Sequence, residues 1–197
     1  MTSNSRSGDR SIPLVSAFYD QFPFPGDPLG DGPPPGYNWR WCVDSAYAFF
    51  TGAISPSNQK CEKLRILDAG CGSGVSTDYL AHLNPGAEVF GVDISHGAIA
   101  LASKRLRLSG GFNKAEVTFE KRSLLDLEEE LPFDYINSVG VLHHLSEPEK
   151  GLKALASLMK KGGLLHLFLY ADGGRWEVQR TQRVLKTIGV GHDKLEK

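Results

Sequence analysis

The stretch LRILDAGCGSG, Leu64 to Gly74, sends an apolar run straight into three glycines spaced by single residues, Gly70, Gly72 and Gly74. Glycine reaches positive φ without steric cost and lets main chain approach a ligand closely, so a turn this bare predicts a ligand lying against backbone. The dinucleotide fingerprint reads G-x-G-x-x-G; here the third glycine comes one residue early, which argues for a different ligand. Asp93 ends the next apolar run, 23 residues after Gly70, where an acidic side chain can take the two hydroxyls of a ribose. His143 and His144 lie just beyond a further run, FDYINSVGVL. Either imidazole, with an unperturbed pKa of ~6.5, could act as a general base. The competing reading makes at least one of them structural, hydrogen-bonded to the adjoining loop.

These residues need strands that end at one rim. From Leu64 onward, runs rich in Val, Ile, Leu and Phe alternate with helical patterns, the sequence form of repeated strand-helix units on a parallel sheet. The first strand is Leu64 to Ala69, and a helix from Val75 to Leu83 is stopped by Pro85 and Gly86. Glu88 to Ile94 is the second strand. Ser95 stands at an N-cap position before a helix with Ile99, Ala102 and Leu106 on one stripe, ended by Gly110 and Gly111. Val117 to Ser123 reads as the third strand, and Phe133 to Leu142 as a fourth, buried on both faces. Ser146-x-x-Glu149 with Pro148 between them predicts a capping box, opening a helix with Leu152, Leu155 and Met159 inward and closed by Lys160, Lys161 and Gly162. Leu164 to Tyr170 is the fifth strand. A last helix, Arg175 to about Ile188, carries Trp176, Val184 and Ile188 on one side.

Composition bounds the partners. With 197 residues and 41% apolar content the chain can build one sizeable core. The formal charge is −1 and the pI 6.6, so no global basic field points to nucleic acid or an anionic membrane. Cys42, Cys61 and Cys71 lack CxxC or Cys/His ligand spacing, so neither a disulfide framework nor a metal site is expected, and a reducing cytosol is. No apolar run approaches the ~20 residues of a membrane span, and the first residues, MTSNSRSGDRSIPL, contain no apolar signal core.

Taken together, ILDAGCGSG, VFGVDIS, SLLDL, FDYINSVGVLHHL and LMKKGGLLHLFLY, in this order between Leu64 and Tyr170, resemble the class I S-adenosylmethionine-dependent methyltransferases. The resemblance implies a Rossmann-like α/β fold, an open, mainly parallel sheet with helices on both faces. It also implies S-adenosylmethionine as cofactor and residue roles. Gly70, Cys71 and Gly72 would underlie the methionine part, with Asp68 reaching its amino group directly or through water. Asp93 would take the ribose, and Ile94 would lie on the adenine. Leu125 and Asp126 would meet the adenine, the carboxylate accepting from its exocyclic amine, and Val139 would lie close to the sulfonium. A zwitterionic amino acid against bare backbone explains the glycines physically, since a Cβ at Gly70 or Gly72 would fill that space. Methyltransferases of amide or nucleobase amino nitrogens often carry an Asn/Asp-Pro-Pro-aromatic motif after the fourth strand; Ser138, Val139, Gly140 and Val141 stand there instead. His166, inside the fifth strand, is expected to be a satisfied core histidine, and Cys71 a packing residue.

The first fifty residues hold ten of the nineteen aromatic residues and seven of the eleven prolines, so residues 1–60 read as an appendage or lid. A short helix is expected before the prolines and another from about Trp39 to Phe50. By the resemblance, Phe18, Tyr19, Phe22 and Trp39 are candidates to cover the site, packing of the appendage being the equal alternative. Residues 61–172 form the expected cofactor-binding core and 173–197 a C-terminal helix. Five strands are two fewer than the family's seven. Truncation, cover by the last helix, or self-association through an open edge would each account for the difference. The expected function is methyl transfer to a small-molecule acceptor. The rivals are a cofactor-binding module without catalysis, a nicotinamide-dependent oxidoreductase, and an RNA methyltransferase. The last would use Arg175, Arg180, Arg183 and Lys186, which read more simply as a solvated helix face.

Overall fold

In the computed structural model of the protein, which describes residues 11–29, 39–53, 63–128 and 132–189, the apolar run after Leu64 becomes strand β1, Arg65–Ala69. Pro33, Pro34, Pro35 and Cys61 lie outside the described residues. Side chains of β1 alternate between two cores. Ile66 joins Leu80, Ala81, Val89, Leu106 and Tyr135 on one face of the sheet; Leu67 and Ala69 join Val92, Phe133, Ile136, Leu142 and Leu155 on the other. A strand buried on both faces is what a parallel sheet wrapped by helices requires. Truncating one of these buried leucines to alanine costs about 2–5 kcal/mol.

Five parallel strands lie in the order β3-β2-β1-β4-β5: β2 is Glu88–Asp93, β3 Glu116–Lys121, β4 Phe133–Val139 and β5 Met159–Phe168. The chain order reverses direction between β1 and β4, which opens a crevice at the carboxyl ends of the strands. Helices α3 (Val75–Leu83) and α4 (His96–Ser109) cover the first core, and α5 (Pro148–Ser157) the second. Ser95 caps α4 as its sequence predicts, its Oγ accepting from the Ala98 amide at 3.0 Å. Ahead of the sheet come α1 (Ile12–Gln21) and α2 (Val43–Thr51). Val43 and Ala46 of α2 belong to the first core, so this part of the appendage is packed into the domain. No helix among the described residues is long and apolar enough to cross a membrane.

Three boundaries differ from expectation. Strand β4 stops at Val139, because Gly140 turns left-handed at φ 75°, and Leu142–His144 form a single 3-10 turn. The N-cap of α5 is Glu147, not Ser146, and it makes no side-chain capping bond; its carboxylate pairs with Lys150. Helix α5 ends at Ser157, and Met159 to Gly162, read as a helix end, open β5 instead. Phe133 pairs with Met159 and Tyr135 with Leu164, so the sheet carries an irregularity there. A Cβ on Gly163 would stand 2.9 Å from the Asp134 carbonyl, so this glycine serves a bulge pressed onto β4 and not a helix stop. The last helix, α6 (Trp176–Thr187), is exposed at every residue and does not bury the β5 edge.

Candidate functional site

The three glycines are packed against protein on their Cβ sides. A Cβ at Gly70 would meet the Val141 side chain at 2.3 Å, one at Gly72 the Phe24 carbonyl at 2.3 Å, and one at Gly74 the Cα of Ala102 at 2.7 Å. All three have positive φ, between 53° and 81°. The space predicted to be kept free for a ligand is therefore taken by the loop after β4, by the segment after α1, and by α4. Bareness at this turn lets three pieces of chain converge on the C-terminal end of β1, and the ligand wall is the surface they form together.

That surface encloses a cavity of about 810 Å³ at the carboxyl ends of the strands, within the ~300–1,000 Å³ usual for a small-molecule site. On one side are Gly70, Cys71, Gly72 and Ser76 of the turn and α3, Asp93 and Ile94 after β2, Ala98 of α4, and Ser123 and Leu124 after β3. Asp93 Oδ2 accepts from the Gly72 amide and Oδ1 from the Ser95 amide, both at 2.9 Å. Each oxygen of a carboxylate has two lone-pair sites, so two main-chain bonds fix Asp93 and leave it able to accept further donors. Burial pushes its pKa up, while the amides of Ser95, Gly72 and Ile94 oppose that shift.

Asp68 does not line the cavity. It is fully buried under the turn, accepting from Thr77 Oγ1 at 2.6 Å, Ser76 Oγ at 2.7 Å and Asn137 Nδ2 at 2.7 Å. Its burial pushes the pKa up against those three bonds. Ser76 stands at the cavity wall where Asp68 was expected. Asn137 Oδ1 in turn accepts from Trp41 Nε1 at 3.2 Å and pairs with His166 Nδ1 at 2.8 Å, which sets His166 as the Nδ1–H tautomer. His166 is thus a hydrogen-bonded, half-buried residue, and Trp41, its partner in the same network, lines the cavity. Burial likewise pushes the Cys71 thiol well up, which keeps it protonated and inert.

The N-terminal segment closes the roof. Ser16 Oγ of α1 donates to the Ile94 carbonyl at 3.0 Å. Asp20 sits at the N-terminus of α4, accepting from Ser95 Oγ at 2.6 Å and the Gly97 amide at 3.0 Å, the first of which does most to hold its carboxyl below the usual range. The chain after α1 then runs over the glycine turn: the Ser73 amide donates to the Phe24 carbonyl at 3.0 Å, and Ser73 Oγ to that of Pro25. Buried Arg105 of α4 clamps this strap, donating to the carbonyls of Ser73 at 3.0 Å, Pro28 at 2.8 Å and Asp27 at 2.8 Å.

The opposite wall is aromatic. Phe18, Tyr19 and Phe22 of α1 face Val139, Gly140, Val141 and His144 after β4, and Phe168, Tyr170 and Arg175 after β5. Tyr19 Oη lies 3.1 Å from His144 Nε2, its ring edge-on to the imidazole. Burial pushes the Tyr19 hydroxyl up. Burial, and then the Arg175 charge, push His144 below the ordinary histidine value. His143 stands outside the cavity lining, stacked between His144 and Tyr170, and its buried Nδ1 has no hydrogen-bond partner among the described residues. Of the two histidines, His144 is the one that lines the cavity.

Gly70, Cys71, Gly72, Asp93, Ile94, Val139 and His144 thus meet at one cavity, while Asp68, Leu125, Asp126 and His143 stand behind or beside it. Leu125 and Asp126 sit in a 3-10 turn, Leu124–Asp126, that presents Leu124 instead, beside Ser123 and Arg122. Trp39 packs on Phe49 and Phe50, away from the site. Arg175, grouped by sequence with the solvated face of α6, belongs to the cavity.

A relative from Synechococcus sp., named only as an uncharacterized protein, is 54% identical over 91% of this chain, which spans 42% of that protein. The ubiquinone biosynthesis O-methyltransferase of Xanthomonas campestris is 34% identical over 52% of the chain, again with 41% of the relative covered. The chain therefore spans less than half the length of both. The magnesium protoporphyrin IX methyltransferase of Synechocystis PCC 6803, solved with its cofactor bound, shares the fold with a TM-score of 0.53 at 22% identity, covering 79% of this chain and 75% of its own. The family described as "Methyltransferase domain" matches residues 67–165, just over half the chain and enclosing the glycine turn, Asp93 and His144. The chain belongs to that methyltransferase family.

Proposed function

We propose that the cavity binds S-adenosylmethionine and that the chain transfers its methyl group to an oxygen of a small-molecule acceptor. The observation that carries the reading is Asp93, fixed by two main-chain amides at the cavity wall with spare acceptor capacity for a ribose diol. The rest of the lining suits the same ligand. Ile94, Ala98 and Leu124 offer an apolar slot for adenine, and the rings of Phe18, Tyr19, Phe22, Phe168 and Tyr170 offer π faces to a sulfonium cation. The relative named an O-methyltransferase, and the absence of the Pro-Pro motif after β4, favour oxygen as the acceptor atom.

When bound, the cofactor supplies an electrophilic methyl group whose carbon–sulfur bonding pair leaves with sulfur as an acceptor lone pair forms the new carbon–oxygen bond. The protein's tasks are alignment and proton removal. Val139 and Val141 border the acceptor side of the cavity, and the strap and α1 cover it. His144, neutral at neutral pH because its pKa is lowered, takes the acceptor's hydroxyl proton at Nδ1, while its Nε2–H donates to Tyr19 Oη and is held there. A positioned base of this kind supplies about 10²–10⁴-fold in rate.

The test is calorimetric titration of the chain with S-adenosylmethionine, S-adenosylhomocysteine and NAD, repeated on Asp93→Ala. Binding of the two adenosyl ligands but not NAD, weakened by the substitution, is expected. Binding of NAD, or adenosyl binding indifferent to Asp93, overturns the reading.

A further inference from the structure

The cavity lining carries charges of both signs. Besides Asp93 it includes Arg175, the last residue of the 3-10 turn Asp172–Arg175, whose guanidinium carbon lies 4.1 Å from the centroid of the Tyr170 ring. Tyr170 is itself braced at 4.5 Å by His143 and edge-on at 5.7 Å by Phe168. The cation therefore stands over a supported aromatic face, half-buried in the cavity wall.

Its hydrogen-bonding capacity is unspent. Arg105 donates to three carbonyls, and Arg122, the other arginine at the cavity, pairs with Glu120 at 2.8 Å. Among the described side chains no carboxylate pairs with Arg175, and no carbonyl accepts from it. A guanidinium presents five N–H donors in a fixed fork that matches a carboxylate in two parallel bonds. Fixed by stacking, with its fork free, it is pre-organised for such a ligand. The neighbouring lining is apolar or aromatic: Phe18, Tyr19, Phe22, Val141 and Phe168.

We propose that Arg175 is the specificity-determining residue of the acceptor site, and that the acceptor is a flat, apolar, hydroxylated molecule bearing a carboxylate. This rests on the methyl-transfer reading above. The carboxylate meets the Arg175 fork, the ring system lies among Phe18, Phe22 and Phe168, and the hydroxyl reaches the end of the cavity held by Val139 and His144. An uncharged analogue of the same shape leaves the guanidinium without its anion and binds more weakly.

Paired probes test this: 3-hydroxy-2-naphthoate and its amide, titrated calorimetrically with and without saturating S-adenosylhomocysteine. The acid is expected to bind at least tenfold more tightly than the amide, since charge-assisted bidentate bonds are the strong ones. Arg175→Gln should bring the acid down to the amide while S-adenosylhomocysteine affinity holds, and Arg175→Lys, which keeps the charge but loses the fork, should restore part of the preference. Equal binding of acid and amide, binding of neither, or a preference that survives Arg175→Gln overturns the proposal. Failure of wild type to bind S-adenosylhomocysteine instead defeats the methyl-transfer reading, and the titrations without that ligand still report the anion preference.

Discussion

The wall of the cavity built on the glycine turn and Asp93 is held by main-chain bonds across short stretches of sequence, whereas the facing wall joins Tyr19 to His144 across 125 residues. The first wall follows β1 and β2, both buried in the sheet, and inherits their rigidity. The second depends on α1, which buries none of its residues, and on β5, an edge strand with none of its residues buried. Segments with little buried apolar surface open at lower free energy than the core they rest on. One wall can therefore hold an invariant ligand while the other varies with the substrate, and mutations on the two should fail in different ways.

The strap tests whether the walls are independent. Arg105 is the single side chain that ties residues 27 and 28 of the roof to Ser73 of the turn, with Asp78 close enough to feel its charge. Arg105→Leu leaves three carbonyls without their donor, while Asp78 keeps its contacts with Ser109 and His82. A hydrogen bond to a charged group is worth about 1.5–3 kcal/mol, and chemical denaturation should show a loss of at least that order. A loss below about 1 kcal/mol would mean the roof is not clamped through this residue. Asp93→Ala acts mainly on the first wall, its reach to the second being the charge it exerts on Tyr19. It removes acceptors for a ribose diol, each charged hydrogen bond worth about 1.5–3 kcal/mol, so cofactor affinity should fall at least tenfold in calorimetry while the denaturation midpoint moves less than for Arg105→Leu.

The same contrast explains what could be read from sequence. The sheet, the Ser95 cap and the cavity position of Asp93 rest on local signals: periodicity, a capping residue, a glycine turn. The occupants of the glycine spaces could not be read locally. That Gly72 accommodates the Phe24 carbonyl, and Gly70 the Val141 side chain, depends on which distant segment folds onto the turn. Asp68, placed at the methionine amino group by the resemblance, is turned inward by three donors, one of them the distant Asn137, which local sequence does not signal. Arg175 carried no local signal, since its role comes from stacking on Tyr170, and helical spacing assigned it to the solvated face of α6. Gly162 read as a helix stop because a strand irregularity and a cap draw on the same residue type.

On the aromatic wall smaller effects are expected. Tyr19→Phe removes one hydrogen bond to His144 and keeps the ring edge against the imidazole. A neutral hydrogen bond contributes about 0.5–1.5 kcal/mol, so turnover should drop roughly two- to tenfold with cofactor affinity unchanged. A change confined to cofactor affinity would place Tyr19 on the wrong wall.

The least of the effects is a shift along the pH axis. His144 titrates below the ordinary histidine value, through burial first and the Arg175 charge second. The basic form therefore persists through neutrality, and the acid limb of turnover should lie below ~6.5. Stability carries the same sign: His143, His144 and His166 are all lowered, so the unfolded chain binds more protons as pH falls through the ordinary value, and the fold loses stability toward acid. Arg175→Gln removes a nearby positive charge, so the folded His144 binds a proton more readily and the acid limb moves to higher pH. Because burial is the larger cause and survives the substitution, the limb should remain below the ordinary value. A pH–rate profile of the variant taken with an uncharged acceptor separates this from anion binding; a limb that stays put would show that the base titrating there is not His144.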